Sequence, residues 1–197
     1  ATGNVLQYNL IGTVQGNGSG VTIGSGAANN VIGAPLTADF GANAIVNNTF
    51  VGVQVTFAAG TGNRVLAGFF ANNGGIDIDL NGQGASANQA VNPAVGPNNL
   101  QNYPVLTEAI RFAGPDPINV LSGTLHSTPN ENFRIDVYAA NSCDSAPGDR
   151  GRAHFILGHR MIATDAIGNA TFQLTLPAFR FTVGTGMVSA TATDTAG

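Results

Sequence analysis

The sequence contains no lysine, no tryptophan, a single cysteine and only 18 charged side chains in 197 residues. Each shortage excludes something. Seven arginines carry all the positive charge, with no basic run and no interleaving of basic and aromatic residues. A net charge of −4 spread this thinly argues against nucleic acid and membrane surfaces as partners. One cysteine, Cys143, excludes an intramolecular disulfide. No apolar run approaches the roughly 20 residues that a membrane-spanning helix needs. Neither a secretion signal nor an initiator methionine is visible, so the chain reads as a processed or excised piece of a longer protein.

What is abundant is glycine (27 residues) and, in the first half, asparagine. Residues 1–107 hold four charged side chains, Asp39, Arg64, Asp77 and Asp79, beside 17 Asn and 18 Gly; residues 108–197 hold the other fourteen charges and five Asn. Between these regimes "NGQGASANQAVNPAVGPNNLQNYPVL" (81–106) is rich in turn-forming residues and predicts a connector.

The first half repeats. "GVTI" (20–23), "GVQV" (52–55) and "GIDI" (75–78) are short strands after a glycine. Each follows an Asn-led apolar segment: "NVLQYNLIG", "NAIVNNTFVG" and "NRVLAGFFANNG". Short Val/Ile strands recurring every 20–30 residues, with no helical periodicity, predict a parallel β-helix. Asn suits its corners, because it tolerates left-handed backbone and its amides can ladder between stacked turns. In this reading Val21, Ile23, Val53, Val55, Ile76 and Ile78 stack inward in register.

The second half predicts antiparallel strands at 118–127, 132–140, 153–164, 168–177 and 187–195, with a hairpin turn at "DAIGN" (165–169). In "FRIDVYA" Phe133, Ile135 and Val137 share one face, and Arg134, Asp136 and Tyr138 the other. Such alternation between turn signals suits a small immunoglobulin-like sandwich. The expected fold is all-β: a short right-handed parallel β-helix (1–80), a connector (81–117) and an antiparallel Ig-like β-sandwich (118–197).

The run "GGIDIDLNGQG…GPNNLQNYPVLTEA…NFRIDVYAANSCD…FILGHRMIATDAIGNATFQLTLPA" resembles the C-terminal region of large bacterial surface or secreted proteins with right-handed parallel β-helix repeats, of the CSLREA type. The resemblance implies a β-helix closed by an Ig-like module, an extracellular or cell-surface setting, and no particular reaction. Related connectors are rich in Asp and suggest a calcium loop; here no carboxylate follows Asp79 in the connector.

Candidate sites are few. On an alternating strand Asp77 and Asp79 face outward, roughly 6.5–7 Å apart. That separation fits the carboxylate pair of an inverting glycosidase. The alternatives are a weak cation site, with Ca2+ as the candidate ion, and a merely solvated face; the last is favoured, since two carboxylates are too few for calcium. His126, His154 and His159 lack zinc-ligand or triad spacing. Cys143 stands beside Asp144, which raises a thiol pKa. Arg150 and Arg152 offer an anion clamp, and Phe69 and Phe70 cannot both face inward. Asn17, Asn47 and Asn169 open glycosylation sequons that an Asn-rich chain produces by chance.

The expected role is therefore structural or adhesive, without a catalytic site. The expected partners are further β-helix coils of the parent chain or copies of the chain itself, meeting at an open first coil. The alternative is a polysaccharide-binding or polysaccharide-cleaving β-helix that uses Asp77 and Asp79.

Overall fold

The computed structural model describes residues 1–13, 15–38, 43–90, 92–140, 152–177 and 187–196. The chain is all-β. In residues 1–81 it makes three successive passes, each with three short strands. The first pass has β1 (Val5–Leu6), β2 (Leu10–Ile11) and β3 (Val21–Ile23). The second has β4 (Val31–Gly33), β5 (Ala44–Val46) and β6 (Val53–Thr56). The third has β7 (Arg64–Leu66), β8 (Phe69–Ala71) and β9 (Ile78–Asn81).

Corresponding strands pair in parallel, giving three three-stranded sheets ordered β1-β4-β7, β2-β5-β8 and β3-β6-β9. All three sheets contribute to one core. It holds Ile32 and Val65 from the first, Ile45 and Phe70 from the second, and Ile23, Val53 and Val55 from the third.

The register departs from expectation in the third pass. Val21 pairs with Val53 and Ile23 with Val55, but Val53 then pairs with Ile78 and Val55 with Leu80. "GIDI" is thus displaced by two residues, and Ile78 and Leu80, not Ile76 and Ile78, continue the ladder. The Gly75 that suggested the alignment lies outside the strand.

Asparagine organises the corners in pairs. Asn29, Asn47 and Asn72 take left-handed backbone, with φ of 57°, 57° and 54°. The residue after each, Asn30, Asn48 or Asn73, is buried and bonds to the neighbouring pass. Where the first member is not Asn it is often Gly, as in Gly3–Asn4 and Gly62–Asn63, both with positive φ. A side chain on Gly62 would meet the Asn29 amide stacked against it.

The buried members form ladders of constant direction. The N–H and Nδ2 of Asn4 donate to Oδ1 of Asn30 at 3.1 and 2.8 Å. Asn30 donates likewise to Asn63 at 3.2 and 2.8 Å. A second ladder runs from Asn17 to Asn48 to Asn73, and a single rung joins Asn9 to Asn43.

The rest of the chain forms two antiparallel sheets. One is β10 (Val105–Phe112), β11 (Ile118–His126) and β14 (Asn169–Pro177), in that order. The other is β13 (Phe155–Ala163), β12 (Asn132–Ala140) and β15 (Met187–Asp194). Leu121 and Leu125 from the first meet Phe133, Ile135, Val137 and Leu157 from the second in a shared core.

Five of these six strands match the sequence reading to within two residues. The sixth, β10, lies inside the expected connector, so the antiparallel region opens at Val105. It is a largely exposed edge strand with a bulge at Thr107, between Leu106 and Glu108, which breaks its alternation. The "DAIGN" turn is present: Asp165 and Asn169 bond through the backbone, and the Asp165 carboxylate accepts from the N–H of Ile167 and Asn169, both at 2.9 Å.

Candidate functional site

Asp77 and Asp79 do not face solvent. Each is 3% exposed. They point away from the parallel core, as the alternation requires, but other parts of the chain lie over them. Asp77 Oδ1 accepts from Asn73 Nδ2 at 3.1 Å and so ends the second ladder. Its Oδ2 accepts from the backbone N–H of Ala153, which precedes β13, at 2.9 Å.

Asp79 accepts from the Gly84 N–H at 3.2 Å, under the loop that follows β9. Burial pushes its carboxyl above the usual range, opposed by the N–H groups of Gly84, Gly82 and Gln83. The reading of two solvated acids is corrected: the carboxylates are bound by N–H donors, one to the antiparallel region and one to the loop.

The larger surprise is β12. The Arg134, Asp136 and Tyr138 face packs onto the parallel region. Arg134 is 0% and Asp136 1% exposed, with Nε to Oδ1 at 2.7 Å. The guanidinium reaches across to the carbonyls of Pro35 (3.2 Å), Leu36 and Ala38 (2.8 Å). Asp136 Oδ2 accepts from the Ala67 N–H at 3.1 Å.

Burial raises the Asp136 pKa, and the Arg134 charge offsets part of that rise. Tyr138 fills the parallel core with Phe70, and burial drives its phenol far above the usual range. Five planar donors on one guanidinium can satisfy a carboxylate and three carbonyls together, one bond more than the three donors of a Lys ammonium supply.

Further contacts extend this junction over the whole third pass. Arg64 Nη2 donates to the Thr195 carbonyl at 2.9 Å. Arg152 Nη1 donates to the Asn73 carbonyl at 2.7 Å, so it serves the junction. Its expected clamp partner Arg150, with Cys143 and Asp144, lies outside the described residues. Phe70 points inward and Phe69 packs at a tilt against Phe155 of β13, ring centroids 5.0 Å apart. The connector contributes Asn98, whose Oδ1 accepts from the Asn63 N–H at 3.0 Å and closes the first ladder.

Between the third pass, the connector and β15 remains a cavity of about 430 Å³. Val55, Val65 and Leu80 line one side, Val188 and Ala192 the other. It is mainly apolar, although Asp77, Ser189 and Asp194 also line it.

The histidines are dispersed. His126 bonds Asn169 Oδ1 at 3.0 Å, His154 offers its carbonyl to the Phe70 N–H at 3.4 Å, and His159 stands opposite Asp136 in the β12–β13 ladder. Among the described residues no three of His, Cys, Asp and Glu come together as a metal-binding group. No described helix is long and apolar enough to cross a membrane.

The signal for the junction was present in "FRIDVYA". An Arg and an Asp two apart, on the face opposite an aliphatic row, suit either solvent or a second buried interface. Only the partner surface decides between them. The chain matches no known family model, and no curated protein matches it.

Proposed function

We propose that the three passes are the coils of a short right-handed parallel β-helix, that the two antiparallel sheets form an Ig-like sandwich capping its end, and that the whole is a non-catalytic structural or adhesive module. Its setting would be a bacterial extracellular or cell-surface protein, in line with the resemblance to CSLREA-type repeat proteins. The observation that carries this reading is the buried junction. Arg134, Asp136 and Asp77, polar groups that would otherwise be candidates for chemistry, are consumed in holding two regions together. A stiff joint is what a load-bearing or display module needs, whereas a hydrolase needs carboxylates open to a substrate.

The test combines a glycan array with a turnover assay on neutral and acidic polysaccharides. We expect no turnover. Cleavage that is lost in Asp77→Asn, with folding verified by circular dichroism, would overturn the proposal in favour of a polysaccharide-cleaving enzyme.

A further inference from the structure

The two ends of the parallel sheets are unlike, and the difference is chemical. In every buried rung between two passes, the backbone N–H and Nδ2 of an Asn in one pass donate to Oδ1 of the Asn in the next. The ladders therefore have a direction. Each Oδ1 is turned toward the preceding pass and receives two hydrogen bonds from it. In the first pass this leaves Oδ1 of Asn4, Asn9 and Asn17 turned outward, and among the described residues nothing donates to them.

The strands agree. β1, β2 and β3 are all edges of their sheets. No Pro and no charge blunts them, although natural edges are usually protected in such ways. Val5, Tyr8 and Leu10 are 62%, 75% and 64% exposed, and Leu6, Ile11 and Val21 close the core only in part. The residues entering the first pass repeat those entering the third: "TGNVL" at 2–6 and "TGNRVL" at 61–66.

Resting on the β-helix reading above, we infer that this end binds one more parallel coil of the same Asn-bearing repeat, stacked ahead of residues 4–23. That coil would supply a backbone N–H and an Nδ2 to each of Asn4, Asn9 and Asn17. It continues an interface already present between the first and second passes.

A second copy of the chain does not fit. Two open ends face to face would set Oδ1 against Oδ1 at the ladder positions. The opposite end of a second copy is covered by the connector and the antiparallel region, with the Asn63 N–H engaged by Asn98 and Asn73 Nδ2 by Asp77.

The experiment extends the full chain by a copy of residues 30–59 placed directly ahead of Ala1. This reproduces the 33-residue spacing between Asn30 and Asn63. Amide hydrogen exchange of β1–β3 should slow by about tenfold or more relative to the unextended chain, with β12 amides reporting that the rest remains folded.

Asn30→Ala, Asn43→Ala and Asn48→Ala, made together in the appended copy only, should abolish the slowing. A second extension, repeating residues 4–29 after Gly3, poses the same question should the first not fold. Three results would overturn the inference: unchanged β1–β3 exchange beside a protected β12, equal slowing by the alanine-bearing copy, or concentration-dependent dimerisation of the unextended chain that protects the same amides. Polysaccharide turnover would sink the display reading and leave this result standing.

Discussion

The first and third passes have three short strands each and share ladder asparagines at two corners, Asn4 with Asn63 and Asn17 with Asn73, yet have opposite surroundings. Around the third pass, β15 meets β7 through Arg64, β13 meets β8 through Phe69 and Phe155, and the connector covers β9. Around the first pass, the apolar side chains of Val5 and Leu10 and three amide oxygens face outward. A repeat pass thus carries no end of its own. The covered end is made jointly: non-repeating chain brings Arg134, Asp136, Arg152 and Phe155 to a third pass that meets it with Arg64, Phe69 and Asp77, residue types the first pass lacks.

The covered end can be broken most severely at Arg134. Replacing it by Met leaves Asp136 buried without its counter-charge, and one-partner deletions of this kind cost about 3–5 kcal/mol. Urea unfolding should show that loss. The double variant Arg134→Met with Asp136→Leu should regain a large part of it, because neither member of the pair is then left as an uncompensated charge.

Asp77→Leu should come next. It strands the Ala153 N–H and one N–H of the Asn73 amide, whose other N–H stays on the Ile45 carbonyl, at about 1–3 kcal/mol for a buried donor left unsatisfied. If exchange at Ala153 and β13 rises before that of β4–β6, the carboxylate acts as a tie between regions and not only within the third pass.

The ladders allow a sharper comparison, since one chemistry recurs at different depths. Asn48→Ala, in the middle rung, removes a buried amide that both accepts from Asn17 and donates to Asn73. It should cost about 1–3 kcal/mol. Asn17→Ala, at the open end, should cost well under half as much by the same urea measurement, as its amide is bonded on one side only. Equal losses would mean that the two ends are energetically alike.

The smallest effect is expected far from both ends. Asp165 is held below the usual carboxylate range by the N–H groups of Asn169 and Ile167. A depressed folded pKa contributes stability that is complete above the ordinary aspartate range and lost as pH falls through the depressed value. An NMR titration should place its midpoint below that of a free aspartate. Asp165→Asn should flatten the acid dependence of exchange in the 165–169 turn while leaving the parallel sheets unaffected.

Much of this architecture was legible in residue order. Period-two alternation located β11 through β15, and the Gly-led strands located β3, β6 and part of β9. Asn-rich corners foretold both left-handed turns and amide ladders. The division of labour within "NN", one residue for the turn and the next for the ladder, shows only once the backbone angles and the partners of each amide are seen. Local pattern could not show that Asp77, Asp79, Arg134 and Asp136 are buried. An outward position on a strand looks the same whether water or another sheet lies beyond it, and contacts between residues 69 positions apart, such as Ala67 with Asp136, leave no periodic trace. The register slip at Ile78 had a related cause: Gly75 imitated the glycines before β3 and β6, while hydrogen bonding aligned Asp77 with Gly52.

The rungs of the ladders skip unequal lengths of chain. Successive partners are 26, 33 and 35 residues apart along the first, and 31 and 25 along the second. Stacking is therefore indexed by a few amides rather than by counting residues, and the stretches between them are released from any fixed length. Over evolutionary time such a chain can gain or lose residues in its turns without losing its place, so its loops can diversify while its corners stay the same. Two relatives could then share every asparagine of the ladder and align poorly everywhere else.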